Sequence, residues 1–424
     1  GDFIGRINKV LFFRNRLAVL SGENVILSRP GTLGKPDFFA ESALTTAASD
    51  PIDISAASMF PSELFDGIEI NTGLIVFSSN QQFLLTSDDT VLNPDTAKLK
   101  SIATFNYNID IPPISLGTTV AYVDNSGRFS RLNEMANIAR EGEPNIVEVS
   151  KVVPSLLPND IDLLTNSREN AIILLGKTGT DTVFGYKYLN VGDKRQQAAW
   201  FKWKFNQPLI YHFIIDDEYF ILDDDYYLQS MQLVESTEDL SITQDGIDYV
   251  LHLDNFIPLF GGTYQSATNS TVFSNQNWLN QVGGAATEII DKLAVIDTVA
   301  GTNNVRLARF QKPSVDLSNT SNQQLSLDGD WSSATSSNPL HVGYLFDYEV
   351  KFPKFYPFKS GGEGKVQSDV NSSLTLHRVK LHFGKLGTYK TILERVGKTN
   401  YEEDYESSIL DEYNTNSAPY LETY

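Results

Sequence analysis

The chain has 424 residues, 41% of them hydrophobic and none of them cysteine. That is enough apolar material for a core spread over two or three structural units, and it excludes disulfides, thiolate metal sites and cysteine nucleophiles. Lys and Arg number 33 against 53 Asp and Glu, a formal charge of −20, which excludes general binding of nucleic acid through phosphate neutralisation.

The chain opens on Gly1 rather than Met, and strand-like sequence starts almost at once, so a further N-terminal part of the natural chain is expected. No apolar run approaches the roughly 20 residues of a membrane span, and no span is expected. Short apolar runs separated by Gly, Asn, Asp and Ser then dominate, the pattern of antiparallel strands and turns. Val10–Phe13, Leu17–Leu20 and Val25–Leu27 form a first meander, and Gly73–Phe77 with Gln82–Leu85 a second. Thr119–Val123 starts a third, which turns at Asp124–Gly127. Ala171–Leu175 turns through Gly176–Asp181 into Val183–Tyr188 and Trp200–Phe205, and Leu209–Ile215, Tyr219–Leu222 and Tyr226–Met231 follow. The groups begin near residues 9, 73, 118, 170 and 209, close in their last spacings to the roughly 40–50 residues of a propeller blade. The period is irregular and no short signature recurs in every group, so an irregular propeller and a stack of antiparallel sheets both fit, with a sandwich as the plainer alternative. The fold class expected is mainly β: an irregular, β-propeller-like body of antiparallel sheets over 1–235, with an inserted β-rich domain.

One helix is expected, a short connector over Leu132–Arg140 with Ser130 as its cap and Leu132, Met135 and Ile138 on one face. After Val234 the texture changes. Residues 261–284 and 317–338 are crowded with Asn, Ser, Thr, Gln and Gly around Trp278 and Trp331, a composition of exposed loops and edge strands. An inserted or distal domain is placed at 236–370 and a return hairpin at 371–400, with arms Leu374–Phe383 and Thr388–Leu393. An acidic C-terminal tail occupies 401–424. Tyr401–Tyr424 holds seven acidic residues, five tyrosines and no Lys or Arg, so it is either solvated or a strand that orders on a partner.

Catalytic signals are weak. Leu175-Gly-Lys-Thr178 ends like a phosphate loop, but Ala171 stands where the first glycine belongs, and strand-like sequence follows where a helix is needed. A hairpin turn explains it. Asp124–Glu134 lacks the alternating ligands of a calcium loop, and a tight turn explains it too. The five histidines (His212, His252, His341, His377 and His382) have no metal-helix spacing, and no Gly-x-Ser-x-Gly elbow occurs. Trp200 and Trp203 alternate with Lys202 and Lys204, as in a half-buried strand. Asp216, Asp217 and Glu218, with Asp223, Asp224 and Asp225, are the most prominent acidic sites. A glycosidase would need two such carboxylates about 5–10 Å apart; at hairpin turns Asp is favoured for backbone reasons and stays solvated. No catalytic, cofactor or metal residues are assigned.

Asn15-Arg-Leu-Ala-Val-Leu-Ser-Gly-Glu-Asn-Val-Ile-Leu-Ser-Arg-Pro-Gly31 resembles the tail tubular protein B, or nozzle, family of short-tailed phages. Asp50–Ala57, Leu74–Leu85, Pro154-Ser-Leu-Leu-Pro158, Gln196–Trp203 and the hairpin segment His377–Gly384 are similar in the same order. The resemblance covers most of the chain to about residue 230; 236–370 is not matched. It implies a homohexameric ring below the portal adaptor, with a propeller-like body and inserted domains. The adaptor and tail fibre proteins are then partners, viral DNA passes through the channel without specific binding, the place is the virion tail, and the role is mechanical. In such a ring the two acidic turns are candidate lumen walls. The reading from a different class is a glycan-binding or glycan-cleaving tail protein, motivated by the acidic turns, the polar tracts, Trp278 and Trp331.

Overall fold

The computed structural model describes the chain apart from residues 1–4, 32–34, 59–60, 88–90, 137–142, 192–193, 234–240, 245–246, 251–252, 277–278, 280–289, 297–309, 320, 353–354, 361–365, 370, 373, 375–377, 381–387, 396 and 407–424. It divides into two compact units, Gly1–Glu235 and Ser236–Tyr424. Both are built of antiparallel sheet.

The first unit is a series of four sheets. Strands β1 (Ile7–Phe13), β2 (Arg16–Ser21), β3 (Asn24–Leu27) and β4 (Ile52–Ser55) pair in chain order, as do β5 (Leu64–Ile70), β6 (Gly73–Ser78), β7 (Gln82–Ser87) and β8 (Ala97–Ala103). The third sheet runs through β9 (Ile114–Ser115), β10 (Val120–Asp124), β11 (Arg131–Ala136) and β12 (Asn145–Glu148). The fourth has six strands: β13 (Leu163–Ser167), β14 (Ile172–Gly176), β15 (Thr180–Val191), β16 (Lys194–Ile215), β17 (Glu218–Asp223) and β18 (Leu228–Gln232).

The central strands explain the continuous apolar runs. In β6, Leu74 and Val76 face the first sheet and join Phe13, Leu20 and Leu27 in one core. Ile75 and Phe77 face the third sheet and meet Val120, Tyr122 and Met135. In β10 and β14 the same division recurs: Ala121 and Val123 meet Ile173 and Leu175, while Leu174 and Ile172 point into the fourth sheet's other core. A strand covered on both faces needs apolar residues at every position rather than at every second one. Each sheet is thereby fixed against the next.

Leu132–Arg140 is not a helix. Arg131–Ala136 is strand β11, paired with β10 through Leu132↔Val123 and Met135↔Val120, and residues 137–142 lie outside the described ones. Leu132 belongs to the core with the fourth sheet and Met135 to the core with the second. Burial on two opposite sides gave a three-residue apolar spacing that mimics a helix face.

The second unit contains a two-sheet sandwich. Strands β19 (Ser241–Gln244) and β20 (Ile247–Val250) form a hairpin ahead of it. One sheet has the order β21 (Asp254–Leu259), β28 (Leu340–Tyr344), β24 (Leu293–Ile296), β25 (Phe310–Gln311), and the other β22 (Thr263–Gln265), β23 (Ser270–Phe273), β27 (Gln324–Asp328), β26 (Ser314–Asp316). Leu259, Leu293, Val295, Leu340 and Val342 of the first close on Phe273, Leu325 and Leu327 of the second. The polar tracts thus supply core strands as well as loops. Ser270–Phe273 and Gln324–Asp328 alternate, with Thr271, Phe273, Leu325 and Leu327 inward.

Among the described residues the unit also holds two further hairpins, β29 (Phe358–Ser360) with β30 (Val366–Ser368), and β31 (Thr388–Leu393) with β32 (Tyr401–Glu406). The expected arm Leu374–Phe383 lies mostly outside the described residues. Among the described residues Thr388–Leu393 pairs with the first stretch of the acidic segment, where Lys390 Nζ lies 2.7 Å from Glu402.

Candidate functional site

The fourth sheet is the most elaborate part of the first unit and carries both acidic turns. Strand β16 pairs with β15 along its first half and with β17 along its second. Between the halves the register jumps, from Thr182↔Lys204 to Thr180↔Leu209. Pro208 sits in that break, where a missing N–H costs no ladder bond. The second half of β16 therefore folds back, and Leu209 and His212 approach Gly176 and Leu163 of β14 and β13. The sheet curls around Leu174, Val183, Leu209, Tyr219 and Ile221.

Phe201 lies flat across the backbone of Gly185, where a Cβ would overlap its ring. Trp203 continues the same face and packs 5.7 Å from Tyr219, while Trp200 points the other way, 4.8 Å from Tyr186. Both tryptophans are half-buried packing residues; only Trp203 alternates with Lys202 and Lys204, whereas Trp200 shares their face of the strand. Within the curl, His212 Nδ1 and the Tyr219 hydroxyl share a hydrogen bond of 2.9 Å. Among the described residues His212 Nε2 has no hydrogen-bond partner, and burial lowers the His212 pKa to about 4.

The β15–β16 hairpin is clamped to the third sheet by Arg195. Its guanidinium donates to Glu134 of β11 at 2.6 and 3.1 Å and to the Tyr186 hydroxyl at 3.1 Å, and it lies 4.5 Å from the Tyr188 ring. Burial opposes the charge, but the Glu134 bonds outweigh it and the Arg195 pKa is raised.

Both acidic runs lie at hairpin turns. Asp216 and Asp217 join β16 to β17, with Asp216 at φ 51°, a conformation Asp tolerates. Asp217 accepts from Asn170 Nδ2 at 2.9 Å, and its carbonyl accepts from the Leu233 N–H. Asp216, Asp217, Asp224 and Asp225 are exposed and Glu218 is half-buried. Asp223 departs from the expectation of a solvated turn residue: it is 2% exposed, and its carboxylate accepts from the Tyr227 N–H and from Gln229 Nε2, both at 2.8 Å. It holds the turn from inside. Leu175-Gly-Lys-Thr178 is likewise a hairpin connection between β14 and β15, and Asp124–Arg131 is the β10–β11 turn.

Of the histidines, His341 is buried in β28, and His252, His377 and His382 lie outside the described residues, as does Trp278. Trp331 packs on the sandwich core and donates its Nε1–H to the Asp328 carbonyl at 2.7 Å; it is no open stacking platform. Among the described residues no group of three or more His, Asp or Glu is placed to hold a metal ion, and no helix is long and apolar enough to cross a membrane.

Sequence reasoning missed Arg16. This fully buried guanidinium donates to the carbonyls of Ser28, Asp50, Ala48 and Leu92 at 2.7–3.2 Å. It ties β2 to the long β3–β4 connection and to the second sheet, and burial lowers its pKa. Asp50 reinforces the same base by accepting from the Ala47 and Glu41 N–H groups, and the Ala47 bond and then the Glu41 bond hold its pKa low. Arg29 pairs with Glu41 nearby. The signal was a single Arg heading an apolar run.

Acidic antiparallel sheets packed one on the next, with a second unit attached, define a mainly β building block. The chain belongs to the bacteriophage nozzle protein family, whose model matches residues 2–423. These are structural tail proteins, which sets the chain in the virion tail. It is 25% identical over 403 residues to tail tubular protein gp12 of Escherichia phage T7, covering 93% of this chain and 48% of that protein. The chain thus spans about half the length of the curated relative it matches. Among solved structures, Kluyveromyces lactis Hsv2 aligns over 72% of this chain and 84% of its own at 10% identity and a TM-score of 0.34. BamB of Moraxella catarrhalis aligns over 55% and 84% at 11% and 0.25. Similarity of that size does not establish a shared fold.

Proposed function

We propose that the chain is the subunit of a homohexameric ring, a nozzle below the portal adaptor that conducts the viral genome and anchors tail fibres. The observation that carries this is the nozzle family match over residues 2–423, joined to a body whose sheets pack face to face in chain order, as blades of a propeller do. The body is taken as 1–235, the nozzle-tip domain as 236–370, the return to the body as 371–400 and the acidic tail as 401–424. The role is mechanical, with no catalytic step and no cofactor.

Charge supports conduction without grip. Six copies carry a formal charge near −120, six times the −20 of one chain. Basic walls would bind phosphates and slow passage; acidic walls repel DNA only within about 8 Å at physiological salt. The exposed Asp216, Asp217, Asp224 and Asp225 are the candidate lumen residues, with Glu218 beside them; buried Asp223 contributes shape rather than charge to the wall.

Electron microscopy of the purified chain tests the ring: closed particles with an axial opening are expected, and open filaments or monomers would overturn it. Changing Asp216, Asp217, Asp224 and Asp225 to Lys tests the lumen. The altered rings should retain duplex DNA at low salt and release it as salt rises. Rings that stay indifferent to DNA would place these turns elsewhere.

A further inference from the structure

After β28 the Leu345 N–H still donates to the Lys292 carbonyl at 2.8 Å, and the chain then leaves its sheet and runs as Phe346-Asp-Tyr-Glu-Val-Lys-Phe352. Phe346, Tyr348, Val350 and Phe352 alternate with Asp347, Glu349 and Lys351. That is the period of an amphipathic strand with one apolar face. No strand pairs with it among the described residues. Phe346, Tyr348, Val350 and Phe352 are 45–84% exposed, whereas a strand of this pattern is stable only with a ladder on one side and a covered face. Sequence and surroundings disagree at this place.

A complementary surface exists on the first unit. Strand β18 is the last of the six-stranded sheet, and no strand lies beyond it among the described residues. The outward face beside it is apolar. The register aligns Tyr211, Leu222 and Leu228 in one row, and Phe213 and Phe220 with Ser230 in the next. The Phe213 and Phe220 rings stack at 5.1 Å, and Tyr211, Ile215 and Leu228 are 54–60% exposed. A sheet edge next to such a face invites strand addition.

We propose that residues 346–352 of one copy add as a strand along β18 of the next copy, placing Phe346, Tyr348 and Val350 beside the Leu228–Ser230–Gln232 row so that they continue the Tyr211–Phe220–Leu228 face. The occupant is a second copy because the two surfaces differ and both occur in every chain. Such a contact is heterologous: each copy offers one strand and receives another, and closure of the rotation gives a ring. The exposed apolar groups of the two sides amount to roughly 800 Å² together, taking 150–250 Å² for a whole aromatic side chain. Side-by-side strands bury part of that area, so this contact supplies less than half of a standard interface of about 1,600 Å², and other surfaces of the ring supply the rest. The proposal rests on the ring reading and says which surfaces build it.

The natural absence of cysteine gives a clean test. One preparation carries Tyr348→Cys, and a second carries Leu228→Cys, Ser230→Cys or Gln232→Cys, which sample the register. Mixed and assembled under mild oxidation, one of the three pairs should give a disulfide-linked dimer that neither preparation gives alone. A chain carrying both substitutions should give a ladder up to the ring size. Rings without any cross-link would overturn the strand contact and leave the ring standing. A disulfide confined within single chains would also overturn the contact, and absence of any ring would overturn both. As a second reading, Phe346→Ser with Tyr348→Ser should abolish assembly while leaving the unfolding midpoint of the isolated chain unchanged, because both side chains are exposed there; intact assembly would refute the contact.

Discussion

His212→Phe should change how the protein responds to acid. The imidazole is 2% exposed and burial depresses its pKa from 6.5 to about 4. Unfolded chain takes up a proton as pH falls through about 6.5, whereas folded chain refuses it until about 4. The stability contributed by the neutral ring is therefore complete above pH 6.5 and lost on the way down, at about 1.4 kcal/mol per pH unit and about 3 kcal/mol in all. Phenylalanine keeps the planar bulk but leaves the Tyr219 hydroxyl without its 2.9 Å partner, at a cost of about 1–3 kcal/mol at every pH. The variant should be less stable than the parent at pH 7.5 and level with it, or more stable, near pH 4.5. Carboxylates elsewhere titrate alike in both proteins, so the difference isolates His212. Urea unfolding followed by tryptophan fluorescence reads the site, because Trp203 lies 5.7 Å from Tyr219. A constant stability difference between the two proteins from pH 7.5 to 4.5 would refute the reasoning.

Arg16→Met should destabilise the first unit by about 3–5 kcal/mol, because four carbonyls lose their donor inside the protein; chemical denaturation measures it, and a loss under 1 kcal/mol would mean that water replaces the guanidinium. Gly185→Ala should cost about 1–3 kcal/mol by forcing Phe201 off the backbone. Adding Phe201→Leu should recover part of that loss in a double-mutant cycle, and strict additivity would show that the ring is not the obstacle.

The strands of the first unit were legible wherever a run was buried on both faces, since β6, β10 and β14 each read as four or five consecutive apolar residues. Half-buried strands were harder. Leu64–Ile70 and Ala97–Ala103 mix Asp, Glu and Lys with apolar residues and went unread, although they flank β6 and β7. In β11, two cores on opposite sides imitated a helical stripe. In the second unit composition hid period: Ser270–Phe273 and Gln324–Asp328 look like polar tracts until every second residue is followed. Pairing was least legible of all. Nothing local in Thr388–Leu393 distinguishes a partner before it from one after it, and among the described residues it pairs with Tyr401–Glu406, with Lys390 beside Glu402 across the ladder. At the acidic turns the sequence located the hairpins, but the burial of Asp223 depends on Gln229 and the Tyr227 N–H, which only the closed turn brings to it.

The mass of the assembled protein tests the ring most directly. Sedimentation of the purified chain over a range of concentrations should show one dominant species of about 283 kDa, six times the 47.2 kDa of the chain, persisting on dilution. A single species that stays near 47 kDa at every concentration, or a mass that grows without limit, would contradict a closed six-membered ring.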